Sequence, residues 1–213
     1  KRGADGEDIL HLEVGQPGTP APILALDAAR DALHNDLIGY TDALGLAALK
    51  KRIAQHYDDF YGEKVTPSQV VVTTGSSGGF LLAFLSAFDP GDRVAVACPG
   101  YPAYRNILKS VGVEVVDIQT GFETNFQPNP ELLDRAAVFG ALDGLIVASP
   151  SNPTGTMIHA VEFEALVDYC REKSIRLISD EIYHGITYEK PAETVLRFAK
   201  EAIVINSFSK YFS

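Results

Sequence analysis

Short apolar runs that alternate with longer amphipathic segments constrain the fold of this chain more than any other feature. Six runs are rich in β-branched residues, and several are apolar at nearly every position, as in strands buried on both faces of a parallel sheet. This alternation predicts right-handed crossovers onto one sheet, hence an α/β fold with three layers (αβα) and a mostly parallel sheet. The six runs cover residues 70–74, 94–97, 113–118, 145–148, 176–179 and 202–206.

The segments between the runs have the spacing of helices that are apolar on one face. Three such faces are predicted, and each would pack against the sheet. Their members are Leu46, Leu49, Lys50 and Ile53; Phe80, Leu81, Phe84, Leu85 and Phe88; and Phe163, Leu166, Val167 and Cys170.

The N-terminal part of the chain has a different character. Residues 14–22 are rich in Gly and Pro and cannot form regular structure, and a helix is expected to start near Pro22. We therefore predict an arm and small-domain or interface segment over residues 1–64 and a large domain over 65–213. The sequence stops at Ser213, directly after a strand-to-loop transition, and we expect it to be a truncated piece of something longer.

Charge and cysteine content argue against several classes of partner. The chain has 213 residues with 18 basic and 28 acidic side chains, a net charge of −10, so it lacks the basic surface that nucleic-acid binding needs. No apolar stretch approaches the roughly 20 residues of a membrane helix. Cys98 and Cys170 match neither a metal-binding nor a disulfide pattern. We expect a cytoplasmic protein with small-molecule partners.

The residues that follow each strand are of most interest, because open parallel sheets bind ligands outside the carboxyl ends of their strands. The first run is followed by a glycine-rich turn with Ser76 and Ser77 and then a helix, which is either an anion site suited to phosphate or a turn that permits close packing. The turn matches neither a Walker loop nor a dinucleotide fingerprint. Tyr101, after the second run, could stack on a planar ligand or cover the core.

The next strand ends carry an amide, a carboxylate and an amine. Asn152 lies in a proline-rich loop in which an X–Pro bond could be cis. Asp180 ends a buried strand, where a carboxylate is costly unless it meets a cation or several donors. Glu181 reads as a solvated residue or a helix-start charge. Lys210 is either a nucleophile activated by desolvation or an ordinary surface lysine.

Taken together, the strand ends offer a phosphate cradle, an aromatic ring, an amide, a carboxylate with Tyr183, and a Ser–Lys pair. A planar, phosphorylated cofactor that is carried on a lysine needs these groups. Pyridoxal 5′-phosphate is such a cofactor.

From Gly15 to Lys210 the sequence resembles the class I, aspartate aminotransferase-like family of pyridoxal-phosphate enzymes of fold type I. The most specific matches are Ser-Asn-Pro-Thr-Gly at 151–155, Asp-Glu-Ile-Tyr at 180–183 and Ser-Phe-Ser-Lys at 207–210, which occur in the family's order. The resemblance implies ping-pong transfer of an α-amino group from an amino acid to a 2-oxo acid.

The resemblance also implies a role for each matching residue. Lys210 would be the Schiff-base lysine and the base that moves the substrate Cα proton, and Asp180 would pair with the pyridinium nitrogen. Asn152 and Tyr183 would donate to the ring oxygen, and Tyr101 would stack on the ring. The phosphate group of the cofactor would be bound by four serines, Ser76, Ser77, Ser207 and Ser209, and by Tyr40 from a neighbouring subunit. Gly15 would lie near the substrate carboxylate.

These roles imply a homodimer with shared active sites. In the family, the arginines that bind the phosphate and the substrate carboxylate follow the lysine, as do the antiparallel strand that joins the first strand to the sheet and the C-terminal small domain. All of these would lie beyond Ser213, so we expect the 213-residue chain, from which the C-terminal small domain is absent, to be inactive alone.

Several alternatives remain open. The same cofactor serves β-lyases and decarboxylases, and an aminotransferase-like domain can act as an amino-acid sensor in a transcription regulator. Residues 75–79 also satisfy Gly-x-Ser-x-Gly, the nucleophile elbow of serine hydrolases, with Ser77 as nucleophile and His159 or His184 as base. The Ser-x-x-Lys at 207–210 lacks the partner motifs of penicillin-binding enzymes, and that reading is rejected.

Overall fold

The computed structural model describes residues 5–10 and 15–213, which fall into two compact units. One unit combines Lys1–Ile38 with Phe208–Ser213, and the other is Gly39–Ser207. Val14, where the predicted turn-rich segment begins, lies outside the described residues. The first unit contains helix α1 (Ile23–Asn35), which starts directly after Pro22 as predicted.

The second unit is built on a five-stranded sheet in which every pairing is parallel. Its strands lie in the order β2-β1-β3-β4-β5, so the chain winds outward from β1 in both directions. The predicted α/β fold is therefore confirmed. The strands are β1 (Arg93–Cys98), β2 (Glu114–Gln119), β3 (Gly144–Ala148), β4 (Arg176–Asp180) and β5 (Ile203–Ile205).

Two apolar cores form because successive strand residues point to opposite faces of the sheet. Leu145 and Val147 of β3 belong to one core and Ile146 to the other. Helices on each face cover these residues, which explains why the strands read as continuous apolar runs. The helices of this unit are α2 (Ala47–Tyr61), α3 (Gly75–Ala87), α4 (Pro102–Ser110), α5 (Pro130–Ala137) and α6 (Ala160–Glu172).

Three local predictions are corrected. Residues 70–74 do not form a strand, because no neighbouring strand pairs with them in the described part of the chain; Val72 N–H donates to Leu44 O instead. On α3, Phe80 and Phe84 are buried, but Leu81 and Leu85 point about a quarter turn away and are exposed. The apolar face predicted for α2 is also wrong, because the buried residues of this helix are Ala54 and Tyr57, and Leu46 precedes the helix.

The packing of α6 against the sheet gives a stability prediction. Phe163 is fully buried, with its ring stacked on Phe198 at 5.7 Å between centroids. We expect Phe163→Ala to lower the free energy of unfolding by about 3–5 kcal/mol, because the lost contacts leave a cavity. Urea denaturation of the natural full-length protein would measure it. Val161→Ala, at an exposed position of the same helix, is the control, and an equal loss in both variants would contradict the assignment.

No helix in the described part of the chain is long and apolar enough to cross a bilayer.

Candidate active site

Three neighbouring strands end at the same level of the sheet. Asp180, the last residue of β4, is the register partner of Ala148 in β3 and of Ile205 in β5. The loops that leave these strands carry Asn152, Tyr183 and Ser207, which therefore start from one edge of the second unit, as expected for a ligand site.

The Asp180 carboxylate is buried and accepts two hydrogen bonds. The phenol of Tyr104 donates to Oδ2, and the backbone N–H of Ile182 donates to Oδ1 over 3.1 Å. Burial raises the pKa of Asp180, and the two donors partly offset this effect. Among residues 5–10 and 15–213, no cation contacts this carboxylate. The site thus presents a buried acceptor that a cationic ring nitrogen would complement.

Aromatic rings lie beside this carboxylate at the start of α4. Tyr104 is buried, whereas Tyr101 directly precedes the helix and is 37% exposed. The two rings meet edge to face with centroids 5.4 Å apart. Part of the Tyr101 ring is therefore accessible to a planar ligand.

Asn152 and Tyr183 approach each other across two loops. Asn152 Nδ2 lies 3.5 Å from the Tyr183 hydroxyl, longer than a strong hydrogen bond, and a third polar atom could sit against both. Burial, followed by the charge of Asp180, raises the pKa of Tyr183. Both residues line a cavity of about 520 Å³. The Ser149–Pro150 and Asn152–Pro153 bonds of the Asn152 loop are cis.

The first turn of α3 carries Ser76 and Ser77. Gly75 opens the helix with a φ of +76°, a backbone conformation that favours glycine. Thr74 provides no side-chain cap, and the first-turn N–H groups have no acceptor within the helix. A Cβ added at Gly79 would lie 3.4 Å from Ile205 Cδ1, so the helix begins close to the end of β5. This turn can hold an anion.

Four other predicted site residues remain, namely Lys210, Gly15 and Ser209 in the first unit and Tyr40 in the second. In the first unit, the Lys210 ammonium donates to the Gly15 carbonyl oxygen over 2.8 Å, so the structure brings these two residues together; Ser209 of the same unit is exposed. Tyr40, in the second unit, is fully exposed.

Sequence reasoning was wrong about Glu181, which is completely buried rather than solvated. Its Oε1 accepts from the Ser179 hydroxyl (3.2 Å), the Thr194 hydroxyl (3.1 Å) and the Val195 N–H (2.8 Å). Its Oε2 has no hydrogen-bond partner among the described residues. Burial raises the pKa of Glu181 to about 7.

His184, on the same turn, is also buried. Its Nε2 lies 2.9 Å from the Ser149 carbonyl oxygen, and its Nδ1 lies 2.8 Å from the Tyr61 hydroxyl. Burial lowers the pKa of His184 to about 4. With both ring nitrogens occupied, His184 is not placed to activate Ser77, which weakens the hydrolase alternative.

Sequence reasoning missed Tyr104 and the network of Glu181 and His184. The sequence does hold a partial signal: Tyr104 and Leu108 are spaced by one helical turn, and Glu181 and His184 are three residues apart in a turn. No group of three His, Cys, Asp or Glu side chains in the described ranges could hold a metal ion.

Comparison with known proteins connects this geometry to a family. The profile of the family "Aminotransferase class I and II" matches residues 7–213. A valine–pyruvate aminotransferase of Mycobacterium tuberculosis is 49% identical over 208 residues, which cover 97% of this chain and 53% of the relative. An aspartate aminotransferase of Thermotoga maritima is 32% identical over 98% of this chain and 56% of its own length.

Solved structures give the same result. The crystal structure of an aminotransferase from Mycobacterium tuberculosis matches with a TM-score of 0.88 and 50% identity, over 93% of this chain and 54% of that one. Aspartate aminotransferase from Thermus thermophilus with maleate matches with a TM-score of 0.93 and 32% identity, over 99% and 55%. The chain spans about half the length of the curated relatives it matches. By sequence and by structure, it belongs to the class I and II aminotransferase family.

Proposed function

We propose that the protein is a pyridoxal-phosphate-dependent aminotransferase that moves an α-amino group from an amino acid to a 2-oxo acid by a ping-pong mechanism. The observation that carries this proposal is Asp180, a buried carboxylate at the end of β4 that only neutral donors hold among the residues the structure describes. Family membership supports the same reaction class.

The residues of the second unit fit the cofactor. Asp180 would face the ring nitrogen and hold a proton there by its negative charge, with Tyr104 and Ile182 fixing the carboxylate. Asn152 and Tyr183 would both donate to the ring oxygen, which their 3.5 Å separation permits. When bound, the cofactor supplies an electron sink for the substrate Cα.

The phosphate group of the cofactor would bind at the start of α3. The first-turn N–H groups, which have no acceptor within the helix, and the hydroxyls of Ser76 and Ser77 would provide donors there. Ser207 follows β5 at the same edge of the sheet, and we assign it, together with Ser209, to the same group.

Lys210 would attach the cofactor and then act as the base. Its amine would be the group that moves a proton between the substrate Cα and C4′ of the cofactor. Gly15, whose carbonyl already accepts from this amine, would lie near the substrate carboxylate.

The assembly we propose is a cytoplasmic homodimer with shared active sites. Tyr40 is fully exposed on its own chain, as required of a side chain that reaches the phosphate of a neighbouring subunit. Within each subunit, residues 1–64 would form the arm and interface segment and residues 65–213 the cofactor-binding domain.

Valine and pyruvate are the first substrates to test, because a relative named for them is 49% identical. With pyridoxal phosphate, the natural full-length protein is expected to consume valine and form alanine in equal amounts. Aspartate serves as the comparison donor, since other relatives are named for it. Amino-acid analysis of the mixture measures the valine consumed and the alanine formed.

Other outcomes would replace this proposal. Ammonia release without alanine would indicate a β-lyase, and carbon dioxide release would indicate a decarboxylase. Cofactor binding without turnover would favour the sensor reading. No cofactor binding, with fluorophosphonate labelling of Ser77, would favour the hydrolase.

A further inference from the structure

The turn that carries Asp180 and Tyr183 also carries two buried titratable side chains with no part in the proposed reaction. Glu181 and His184 are 0% and 6% exposed. Each is connected to a different loop of the second unit. Their hydrogen bonds determine how many protons this pair can hold.

The tautomer of His184 follows from its partners. A carbonyl oxygen can only accept, so the contact from Nε2 to Ser149 O at 2.9 Å requires that Nε2 carries the hydrogen. Burial disfavours the charged imidazolium, so Nδ1 keeps its lone pair and accepts from the Tyr61 hydroxyl at 2.8 Å. This arrangement describes a neutral imidazole.

The position of Glu181 places the proton on its carboxyl group. Oε2 lies 3.6 Å from His184 Nδ1 and has no hydrogen-bond partner among the described residues. An ionised Oε2 would be a buried negative atom opposite a nitrogen lone pair, which is costly. A proton on Oε2 removes that charge and leaves Oε1 free to accept its three donors.

We propose that Glu181 and His184 hold one proton between them, resident on Glu181 in the native protein, and that this pair positions the Asn152 loop against the turn of Asp180 and Tyr183. His184 holds the loop through Ser149 O. Glu181 holds the 194–195 segment through Oε1. Both act as positioning residues, and their meaning for catalysis rests on the proposed function.

Several charged or titratable groups of the described residues face Glu181 and His184. The charge of Asp180 adds to burial in raising the pKa of Glu181. From α2, the Tyr61 hydroxyl faces His184. Tyr57 of the same helix has its pKa raised by burial and by the charge of Glu181, and its hydroxyl accepts a hydrogen bond from Asn206. Within residues 5–10 and 15–213, no cation is among the groups that shift the pKa of either Glu181 or His184.

The two shifts have opposite consequences for stability. The pKa of Glu181 rises from 4.5 to about 7, so its contribution to stability is complete at low pH and is lost as the pH rises towards 7. The pKa of His184 falls from 6.5 to about 4, so its contribution is complete above pH 6.5 and is lost as the pH falls. Between about pH 4.5 and 6.5 the two contributions to the free energy of unfolding change with pH in opposite directions and cancel.

Each single substitution removes one of the two pH-dependent contributions and leaves the other. Relative to wild type, the unfolding constant of E181Q is expected to fall about tenfold per pH unit from pH 5 to 6.5, because only the contribution of His184 then changes with pH. The unfolding constant of H184Q is expected to rise by the same factor, because only the contribution of Glu181 then changes with pH. Urea titrations of the full-length apoprotein measure both. Variants that track wild type across this range would overturn the shared proton.

Infrared spectroscopy detects the proton directly, because the carbonyl stretch of a protonated carboxyl group is separate from the carboxylate and amide bands. At pH 6 the apoprotein is expected to show a band that E181Q lacks and that D180N retains. It should disappear as the pH rises through about 7. Identical spectra for wild type and E181Q would overturn the assignment.

Cofactor affinity tests the positioning role. H184Q can keep a donor towards Ser149 O, whereas H184L cannot. We expect the Kd for pyridoxal phosphate, measured by fluorescence quenching, to rise about tenfold in H184L and to stay within twofold of wild type in H184Q. Equal affinities in H184L and wild type would contradict positioning. If wild type itself fails to bind the cofactor, the proposed function fails, while the infrared and unfolding experiments still decide the proton pair.

Discussion

Replacing Lys210 by alanine is expected to lower the transamination rate on the order of 10⁴-fold, the upper range for loss of a general acid–base group. The variant retains the strand-end residues of the second unit but has no amine to attach the cofactor or to move the substrate Cα proton. Stopped-flow absorbance with one equivalent of amino acid measures the half-reaction. Borohydride reduction followed by peptide mapping should label Lys210 in wild type only.

Lys173→Ala is the matched control, because Lys173 is an exposed lysine paired with Glu172. It should leave the rate unchanged. Added methylamine is expected to restore part of the rate in Lys210→Ala, since a free amine can take over the proton transfer. Full activity of Lys210→Ala, or a borohydride label on another lysine, would refute the role of Lys210.

Replacing Asp180 by asparagine is expected to lower the rate by about 10²- to 10³-fold, the range found when one electrostatic partner of a transition state is removed. Asparagine has nearly the same shape but no charge, so it cannot hold a proton on the ring nitrogen. The substitution also removes the buried charge that Tyr104 and Ile182 satisfy. The loss is therefore expected in the rate and not in the free energy of unfolding.

Two measurements separate these effects. Single-turnover kinetics should show the reduced rate, and urea denaturation should show Asp180→Asn to be at least as stable as wild type. Asp180→Glu retains the charge and should recover part of the rate. An asparagine variant with wild-type kinetics would show that Asp180 has only a structural role.

The overall fold could be predicted because it depends on local patterns. Runs such as 94–97 and 145–148 are continuously apolar, and the helices between them are apolar on one face, so each element could be recognised without knowing its neighbours. The predicted strand at 70–74 was wrong because a strand exists only through hydrogen bonds to another strand. The predicted burial of Leu81 and Leu85 was wrong because α3 is apolar all round, and periodicity cannot then identify the buried face.

The edge of the sheet that carries the candidate site was predictable for a related reason. In a parallel sheet the carboxyl ends of the strands share one edge, so residues after Ala148, Asp180 and Ile205 had to start close together. Which of them serve the cofactor was an expectation from the family resemblance, and it remains a proposal.

The sequence by itself determined the alternation of strands and helices, the parallel sheet, and the edge from which Asn152, Asp180 and Tyr183 extend, because these features follow from side-chain periodicity and chain order. Only the tertiary structure decided that Tyr104 binds Asp180 from 76 residues away and that His184 binds Ser149 from 35 residues away. It also decided that Glu181 is buried. Such pairings depend on how helices pack on the sheet, and whether a carboxyl group meets water or protein is a property of that packing.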